Sequence, residues 1–411
     1  MIVYYFNRIS ADAGLTWQPT LPLPYTDEWN LPCARNMIRN TINRLGMHGA
    51  WWINDPDCLL LREAGTTFTD DEIRGIVTVK AFSGGSLIIS DDLKAVPERR
   101  LAILAKVLPC TNLAAIAVDL LDRSMPEVLR LELTNGDDAW SLVAACNWAT
   151  IHATGGKGPS KSHSLTWSQA GLDKQIASVQ SRLAHPDRYM YCLHIYEFWT
   201  HSYSHRLLTY TDLADPAPLT LGPVPHHSAL IYAFRLQAIP MQGQGEGEIQ
   251  AAYLGSNIHF SSGLEVASTT FSIHPREPQE DSRIQFPAPL SQPTPQLTDS
   301  APHASPELPS TVFTYTVVFQ GWVCLRAAQE QRRLLLFLPL RETQLNRLRD
   351  AEGNTALQAQ ILAEAVDVDH SEPSAPAWHL EAIVGGGAVC LFTVTSGMGD
   401  AEYLSSVTFT W

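Results

Sequence analysis

One stretch of the sequence decides the fold: Trp51-Trp52-Ile53-Asn54-Asp55-Pro56-Asp57-Cys58-Leu59-Leu60-Leu61-Arg62. Two apolar runs flank two acids that bracket a proline, and proline cannot continue a central strand because it has no N–H to donate. We therefore predict a strand over Trp51–Ile53 and a loop over Asn54–Asp57 at its carboxyl end. In a (β/α)8 barrel, this end of a strand carries the ligand-binding side chains. The alternative is a turn capped by an Asx side chain beside a packed tryptophan pair.

Around this stretch, the first 110 residues alternate strands with helices. The sequence predicts strands over Met1–Ile9 and Ser86–Ser90, and helices over Pro32–His48, from about Thr69, and over about Val96–Val107. The second helix begins with Thr69-Asp70-Asp71-Glu72, which is the pattern of a capping box. A strand, a loop and a helix thus follow one another three times, as in a parallel α/β fold.

Two segments of this region resemble one enzyme family. Trp51–Leu59 resembles the Trp-(x)-Asn-Asp-Pro-Asp-Cys/Met-Leu segment near the end of the barrel in α-galactosidases of the melibiase clan, most closely the glycoside hydrolase family 36 type. Arg8-Ile9-Ser10-Ala11-Asp12, with an aromatic residue after it, is similar to the Arg-Ile-(Ser/Gly)-x-Asp segment that ends barrel strand six there. A third, shorter segment, Ser83-Gly84-Gly85-Ser86, is also similar to the sequence of that family. The resemblance implies that residues 1–110 are about the last three units of a TIM barrel.

The resemblance also implies roles for individual residues. Asp12 would be the general acid/base, and Arg8 would contact the sugar or the nucleophile. The other candidates for substrate binding come from the second segment: Trp51, Trp52, Asn54, Asp55, Asp57 and Cys58. Asp57 would lie in the sugar pocket, with an indole ring as a wall. The implied reaction is retaining hydrolysis of a terminal α-galactoside, in an oligosaccharide or a glycoconjugate, without metal or organic cofactor.

The sequence departs from the family at two points. The residues after Asp12 are Ala13-Gly14-Leu15-Thr16-Trp17, where family members often have Pro-Tyr/Phe-Trp. We therefore expect the wall that this segment forms in the site to have a different shape. Retaining hydrolysis needs a second carboxylate as nucleophile, and the family's Lys-x-Asp motif does not occur here. We therefore expect a C-terminal part of such an enzyme, inactive alone. On residue chemistry alone, Arg8 and Asp12 are as consistent with a salt bridge at a strand end as with a catalytic pair. The alternative function is a non-catalytic carbohydrate-binding or structural fragment built on the sandwich that follows.

After Leu113 the pattern changes to short alternating strands with turn residues between them, which indicates an antiparallel sandwich. The predicted strands are Leu113–Leu121, Glu127–Thr134, Trp140–Trp148, Ser164–Trp167, Tyr189–Trp199, Leu230–Leu236 and Ala252–Phe260. The run 275–309 holds nine prolines and cannot bury a core. We therefore predict α/β plus all-β: a partial barrel (1–110), a sandwich (111–274), a linker (275–311) and a small α+β module (312–411) with a helix over Thr343–Ala365.

Charge and cysteine usage narrow the partners. The net charge of −14 argues against nucleic acid or an anionic membrane surface, since both attract clustered lysine and arginine. The seven cysteines are scattered without a Cys-x-x-Cys pair, so neither a zinc site nor a disulfide framework is predicted. No apolar run has membrane-spanning length, and Met1 does not begin a signal peptide. The sequence predicts neither a compartment nor an oligomeric state.

Overall fold

Two short parallel strand pairs and three helices form the N-terminal region of the computed structural model. The model describes residues 6–10, 12–19, 31–149, 158–241, 251–275, 311–320, 323, 332–339, 358–365, 377–384, 387–394 and 401–410. Strand β1 (Phe6–Arg8) pairs in parallel with β2 (Ile53–Asp55), and β3 (Cys58–Leu59) pairs in parallel with β4 (Ile88–Ile89). The helices are α1 (Ala34–Ile42), α2 (Asp70–Phe82) and α3 (Glu98–Ala105). This order agrees with the predicted βα units, while closure into part of a barrel stays a prediction.

Helix α2 begins as its sequence predicts. Thr69 Oγ1 accepts a 3.2 Å hydrogen bond from the Glu72 amide, and Glu72 Oε2 accepts a 2.9 Å bond from the Thr69 amide. This reciprocal pair satisfies two amides that the first turn leaves without a helical partner. Helix α1 is shorter than predicted: it ends at Ile42, and a separate 3₁₀ turn covers Leu45–Met47.

The strand predicted over Trp51–Ile53 is shifted in the structure. The ladder runs over Ile53–Asp55, because β1 and the Ile9 amide pair with these residues. Asn54 and Asp55 therefore belong to the strand, and the turn contains Pro56 and Asp57. The fully buried side-chain amide of Asn54 is tolerated in the strand because its polar atoms form hydrogen bonds inside the protein.

A six-stranded antiparallel sheet forms the centre of the molecule, in the order β10-β9-β12-β7-β6-β5. Its strands are β5 (Ile116–Ala117), β6 (Val128–Asn135), β7 (Asp138–Cys146), β9 (Tyr189–Glu197), β10 (Ser202–Leu208) and β12 (Ala229–Pro240). One face of this sheet packs against a two-stranded ribbon and a helix. The ribbon consists of β8 (Lys161–Leu165) and β11 (Leu219–Val224), and the helix is α4 (Leu172–Ser181). Strands β10 and β11 and helix α4 were not predicted from the sequence.

Both faces of the six-stranded sheet are largely buried in its four inner strands, β6, β7, β9 and β12. Because side chains alternate along a strand, Leu142, Ala144 and Ile231 share one apolar core with helices α1, α2 and α3. Val143, Tyr232 and the other neighbours on the second face pack with the ribbon and α4. The βα region and the sheet therefore share a continuous core. No helix among the described residues is both long and apolar enough to cross a bilayer.

The C-terminal strands form two four-stranded antiparallel sheets, in the orders β13-β16-β19-β18 and β14-β15-β20-β17. The strands are β13 (Ala252–Ser256), β14 (Val266–Pro275), β15 (Thr311–Phe319), β16 (Arg332–Pro339), β17 (Gln358–Ala365), β18 (Ala377–Val384), β19 (Gly387–Val394) and β20 (Ala401–Thr410). Strands β13 and β14 thus pair with residues beyond 311, although the prediction grouped them with residues 111–274. The division into domains stays a prediction.

The helix predicted over Thr343–Ala365 is wrong in its described part. Residues 358–365 form strand β17, because they pair with β20 from Gln358 opposite Thr410 to Ala365 opposite Ala401. The remainder of that helix, and residues 276–310 of the predicted linker, lie outside the described residues.

Candidate functional site

Arg8, at the carboxyl end of β1, is surrounded by three carboxylates. Its Nη1 lies 2.9 Å from Asp12 Oδ1, its Nη2 lies 3.0 Å from Asp57 Oδ1, and its Nε lies 3.6 Å from Asp55 Oδ2. These distances bring Arg8, Asp12 and Asp57 together at the carboxyl end of the parallel strands β1 and β2. Their roles in binding or catalysis stay predictions. We refer to Arg8, Asp12, Asp55 and Asp57 as the Arg8 cluster.

Asp57 connects the two segments that the sequence singled out. Its Oδ2 accepts a 2.5 Å hydrogen bond from the Ala13 amide, while its Oδ1 faces Arg8. Its own amide donates to Asp55 Oδ1 at 3.0 Å, which is the Asx turn kept as the alternative. Asp57 has a φ of +66°, in the left-handed region that aspartate tolerates better than most residues. The Asx turn and the cluster therefore coexist, since one shapes the loop that the other uses.

The carboxylates of the cluster differ in accessibility. The Asp12 side chain is 75% exposed and the Asp57 side chain is 10% exposed. Asp55 is partly buried and also accepts a 3.5 Å hydrogen bond from Ser86 Oγ. A ligand that approaches from solvent therefore reaches Asp12 first, while Asp57 forms the inner side of the site.

Lys80 forms hydrogen bonds to the backbone of the turn that contains Pro56 and Asp57. Its Nζ donates to the carbonyl oxygens of Pro56 and Asp57 at 2.6 and 2.7 Å. Burial lowers the pKa of Lys80 to about 8, although the Asp57 carboxylate acts in the opposite direction. The role of Lys80 was not predicted from the sequence. The available signal was a single charge inside the apolar run Ile76–Phe82, where an unpaired ammonium group would be costly.

Asn54 is a structural residue in this arrangement and does not line the site as predicted. Its side chain is fully buried; Nδ2 donates to Ser83 O at 3.2 Å, and Oδ1 accepts from Trp52 Nε1 at 3.1 Å. Its carbonyl oxygen accepts from the Ser86 amide at 3.0 Å. A Cβ on Gly85 would lie 1.8 Å from that carbonyl oxygen, so only glycine fits there.

The tryptophan pair and the Arg8 cluster lie at different ends of strand β2. Trp51 and Trp52 precede β2, whereas Asp55 is its last residue and Asp57 follows it, and each strand residue adds about 3.3 Å. The two indole rings meet edge to face with centroids 6.0 Å apart, and Trp51 is 76% exposed. The strand thus begins later than expected, and an indole ring as a wall of the sugar site stays a prediction.

Cys58 follows Asp57 directly and is partly exposed at the start of β3. Burial raises the pKa of its thiol, and the neighbouring Asp57 carboxylate adds to this effect. The group is therefore a neutral thiol near pH 7 and not an activated nucleophile. Within the described residues, no group of three or more histidine, cysteine, aspartate or glutamate side chains is arranged to hold a metal ion.

The chemistry of the cluster suits a polyhydroxylated ligand. A guanidinium group donates several hydrogen bonds in a fixed plane, and carboxylates accept from hydroxyl groups with roughly twice the strength of neutral acceptors. The exposed Asp12 can exchange protons with a bound group and with water. Arg8, Asp55 and Asp57 are tied to one another, so their positions are set before a ligand arrives.

Comparison with known proteins gives partial matches. No family model matches the chain. The α-galactosidase I structure from Mortierella vinacea is 14% identical over 59% of this chain and 54% of that chain, with a TM-score of 0.38. The α-galactosidase from Saccharomyces cerevisiae with raffinose is 15% identical over 56% and 59%, with a TM-score of 0.37. A GH27 β-L-arabinopyranosidase from Geobacillus stearothermophilus is 15% identical over 59% and 46%, with a TM-score of 0.36.

The chain thus spans about half to three fifths of the length of these structures. All three are glycosidases by name. The match is partial in both directions, and the geometry of the Arg8 cluster remains the basis for a function.

Proposed function

We propose that the Arg8 cluster is the sugar-binding and acid/base part of a glycoside hydrolase site of the α-galactosidase type. The sequence motifs of the cluster are most similar to those of glycoside hydrolase family 36. The observation that carries the proposal is one guanidinium group that holds both Asp12 and Asp57, at 2.9 and 3.0 Å. The substrate would be a terminal α-galactoside of an oligosaccharide or a glycoconjugate.

Each residue has a distinct task in this proposal. Arg8 and Asp57 bind sugar hydroxyl groups, since both are fixed by contacts within the protein. Asp12 protonates the glycosidic oxygen and later removes a proton from water, as the acid/base of a retaining enzyme does. The Asp12 side chain is 75% exposed and contacts Arg8 through Oδ1, so within the described residues Oδ2 is available for that transfer.

The nucleophile is not assigned to this cluster. Both oxygens of Asp57 are engaged, one by Arg8 and one by the Ala13 amide. Asp55 accepts from the Asp57 amide through Oδ1 and faces Arg8 through Oδ2. Because we assign neither carboxylate as the nucleophile, we expect binding without turnover from this chain.

The test is calorimetric titration of the chain with methyl α-galactoside and with its C4 epimer, methyl α-glucoside. We expect the galactoside to bind more tightly, and Asp57→Asn to weaken that binding. Asp71→Asn is the matched control, because Asp71 forms a comparable 2.9 Å ion pair with Arg74 away from the cluster. Absence of galactoside binding, or equal loss in both variants, would overturn the proposal.

A second candidate function is carbohydrate binding by the sandwich region. The observation in its favour is a cleft of about 930 Å³ between the six-stranded sheet and the C-terminal sheets. It is lined in part by Asp138, Arg188, Arg235, Gln237, Thr269 and Tyr315. In this case, galactoside binding would be insensitive to Asp57→Asn and would be lost when Arg188 and Gln237 are replaced together by alanine.

A further inference from the structure

We propose that Lys80 is a positioning residue for the Arg8 cluster: its buried ammonium group holds the Pro56–Asp57 turn so that the Asp57 carboxylate faces Arg8 and Ala13. The inference rests on the proposed function for its effect on sugar binding. Its structural part, the hold on the turn, is tested separately below.

The contacts of Lys80 are concentrated on one turn. Its Nζ donates to two consecutive carbonyl oxygens, Pro56 O at 2.6 Å and Asp57 O at 2.7 Å. A hydrogen bond from a charged donor is roughly twice as strong as one between neutral groups. Two such bonds restrict the rotation of the peptide planes on both sides of the Asp57 Cα atom, and these planes set the direction in which the Asp57 side chain leaves the backbone.

The conformation of Asp57 requires this support. Its φ of +66° is uncommon for residues other than glycine. With the backbone in that state, Oδ2 reaches the Ala13 amide and Oδ1 reaches Arg8. If the turn relaxed to a negative φ, the carboxylate would leave both partners, and the segments that carry Asp12 and Asp57 would lose their direct link.

Helix α2 delivers the lysine from a rigid position. The capping box fixes the first turn of the helix, and Ile76, Val77 and Val79 are buried in the main core. The side chain of Lys80 is only 2% exposed, so water does not replace the two carbonyl groups as partners. Burying a charge is unfavourable unless its hydrogen bonds are made. The arrangement is therefore specific to a long cationic side chain.

The groups that face Lys80 define a pH dependence. The carboxylates of Asp57 and Asp55, and Cys58 in its thiolate form, favour the charged form of Lys80, while Arg8 opposes it. Burial leaves the pKa of Lys80 near 8. Above that pH the neutral amine keeps only weaker hydrogen bonds and no attraction for the carboxylates. The hold on the turn should therefore weaken between pH 7 and 9.

Global unfolding would respond in the opposite sense. The unfolded lysine keeps a pKa near 10.5, so the unfolded chain binds more protons than the folded chain between about pH 8 and 10. Stability from this group alone therefore rises with pH in that window. A positioning role and a merely structural role thus predict different pH responses.

The experiment compares Lys80→Met, Lys80→Arg and the control Lys106→Met, which removes another buried lysine at the C-terminus of α3. The first readout is hydrogen exchange of the Ala13 amide. We expect exchange on the order of tenfold faster in Lys80→Met, partial rescue in Lys80→Arg and no change in Lys106→Met. Unchanged protection in folded Lys80→Met would overturn the proposal.

The second readout is the affinity for methyl α-galactoside from pH 6.5 to 9.5. We expect wild-type affinity to fall severalfold with a midpoint near 8, and this fall to persist in Cys58→Ser and disappear in Lys80→Met. A fall that persists in Lys80→Met would overturn the inference. If wild-type chain binds no sugar, the proposed function fails, while the exchange of Ala13 still decides the role of Lys80.

Discussion

Asp57 Oδ2 and the Ala13 amide are joined by a 2.5 Å hydrogen bond, although the two residues lie 44 positions apart in the sequence. The bond connects the loop after β1, which carries Asp12, to the turn after β2. Because Asp57 also contacts Arg8, one carboxylate fixes the spacing between the exposed acid and the buried part of the site.

This arrangement predicts that Asp12 and Asp57 have separable roles. Asp57→Asn should weaken methyl α-galactoside binding on the order of tenfold, because it weakens charge-assisted hydrogen bonds worth about 1.5–3 kcal/mol. Asp12→Asn should change the affinity less than about threefold, because an exposed residue with one ion pair contributes little to holding a ligand. Titration calorimetry of both variants tests the difference. Equal losses would contradict separate roles.

A kinetic prediction follows from the proposal that the Arg8 cluster does not supply the nucleophile. The chain should release no aryl group from an aryl α-galactoside above background, since general acid/base catalysis alone contributes about 10²–10⁴-fold. Release of nitrophenol would be followed spectroscopically at pH 5 and 7. Turnover that disappears in Asp12→Asn would show that a carboxylate of this chain serves as the nucleophile.

Gly85 should be intolerant of a side chain. Alanine at this position would place Cβ 1.8 Å from the Asn54 carbonyl oxygen, so strand β2 or the turn before β4 must move. We expect Gly85→Ala to lower the free energy of unfolding by about 2 kcal/mol or more. Gly46→Ala is the control, since a Cβ there meets nothing within 4 Å. Urea denaturation measures both, and equal stabilities would refute the close approach at Gly85.

The exposed indole of Trp51 should be dispensable for sugar binding. It lies before β2, at the end of the strand away from Asp57, and is 76% exposed. Trp51→Ala should leave the affinity for methyl α-galactoside and the free energy of unfolding within about 0.5 kcal/mol of wild type. A marked loss of affinity would show that the Trp51 indole belongs to the sugar-binding site.

His194 should make the protein less stable in acid. Burial lowers its pKa to about 3, and in the neutral ring Nδ1 accepts from Tyr203 Oη at 2.9 Å while Nε2 donates to Gln237 Oε1 at 3.1 Å. Between about pH 3 and 6.5 the unfolded chain binds the extra proton, so stability is complete above 6.5 and falls by about 1.4 kcal/mol per pH unit below it.

The test compares urea denaturation of wild type and His194→Gln at pH 7 and pH 5. The variant should be less stable at pH 7, because it disturbs two buried hydrogen bonds, but it should lose less stability on acidification. His185→Gln, at an exposed histidine, is the control. An unchanged acid dependence in His194→Gln would contradict the assignment of this titration to His194.

Features governed by neighbouring residues were predictable from the sequence. The capping box at Thr69 and Glu72 depends on residues three apart, and it forms as expected. The antiparallel strands β6, β7 and β9 follow from local alternation and turn residues. Helix α4 was missed because its N-cap, Gly171, adopts a φ of +77° and provides no capping side chain.

Features set by distant partners were not predictable in this way. The shift of strand β2 depends on pairing with β1 and on the burial of Asn54 against Ser83. Residues 358–365 look helical, yet they become a strand because β20 supplies a ladder. Tertiary pairing overrides weak local preferences in such cases. The role of Lys80 was hidden for the same reason, since its partners lie more than twenty residues away.

The most direct test of the central claim is a crystal structure of the chain soaked with methyl α-galactoside. If the Arg8 cluster binds the substrate, we expect a sugar at the carboxyl ends of β1 and β2, with hydroxyl groups within hydrogen-bond distance of Arg8 and Asp57 and the glycosidic oxygen near Asp12. A sugar bound in the cleft beside Arg235, or no bound sugar at saturating concentration, would contradict the assignment of the Arg8 cluster as the binding site.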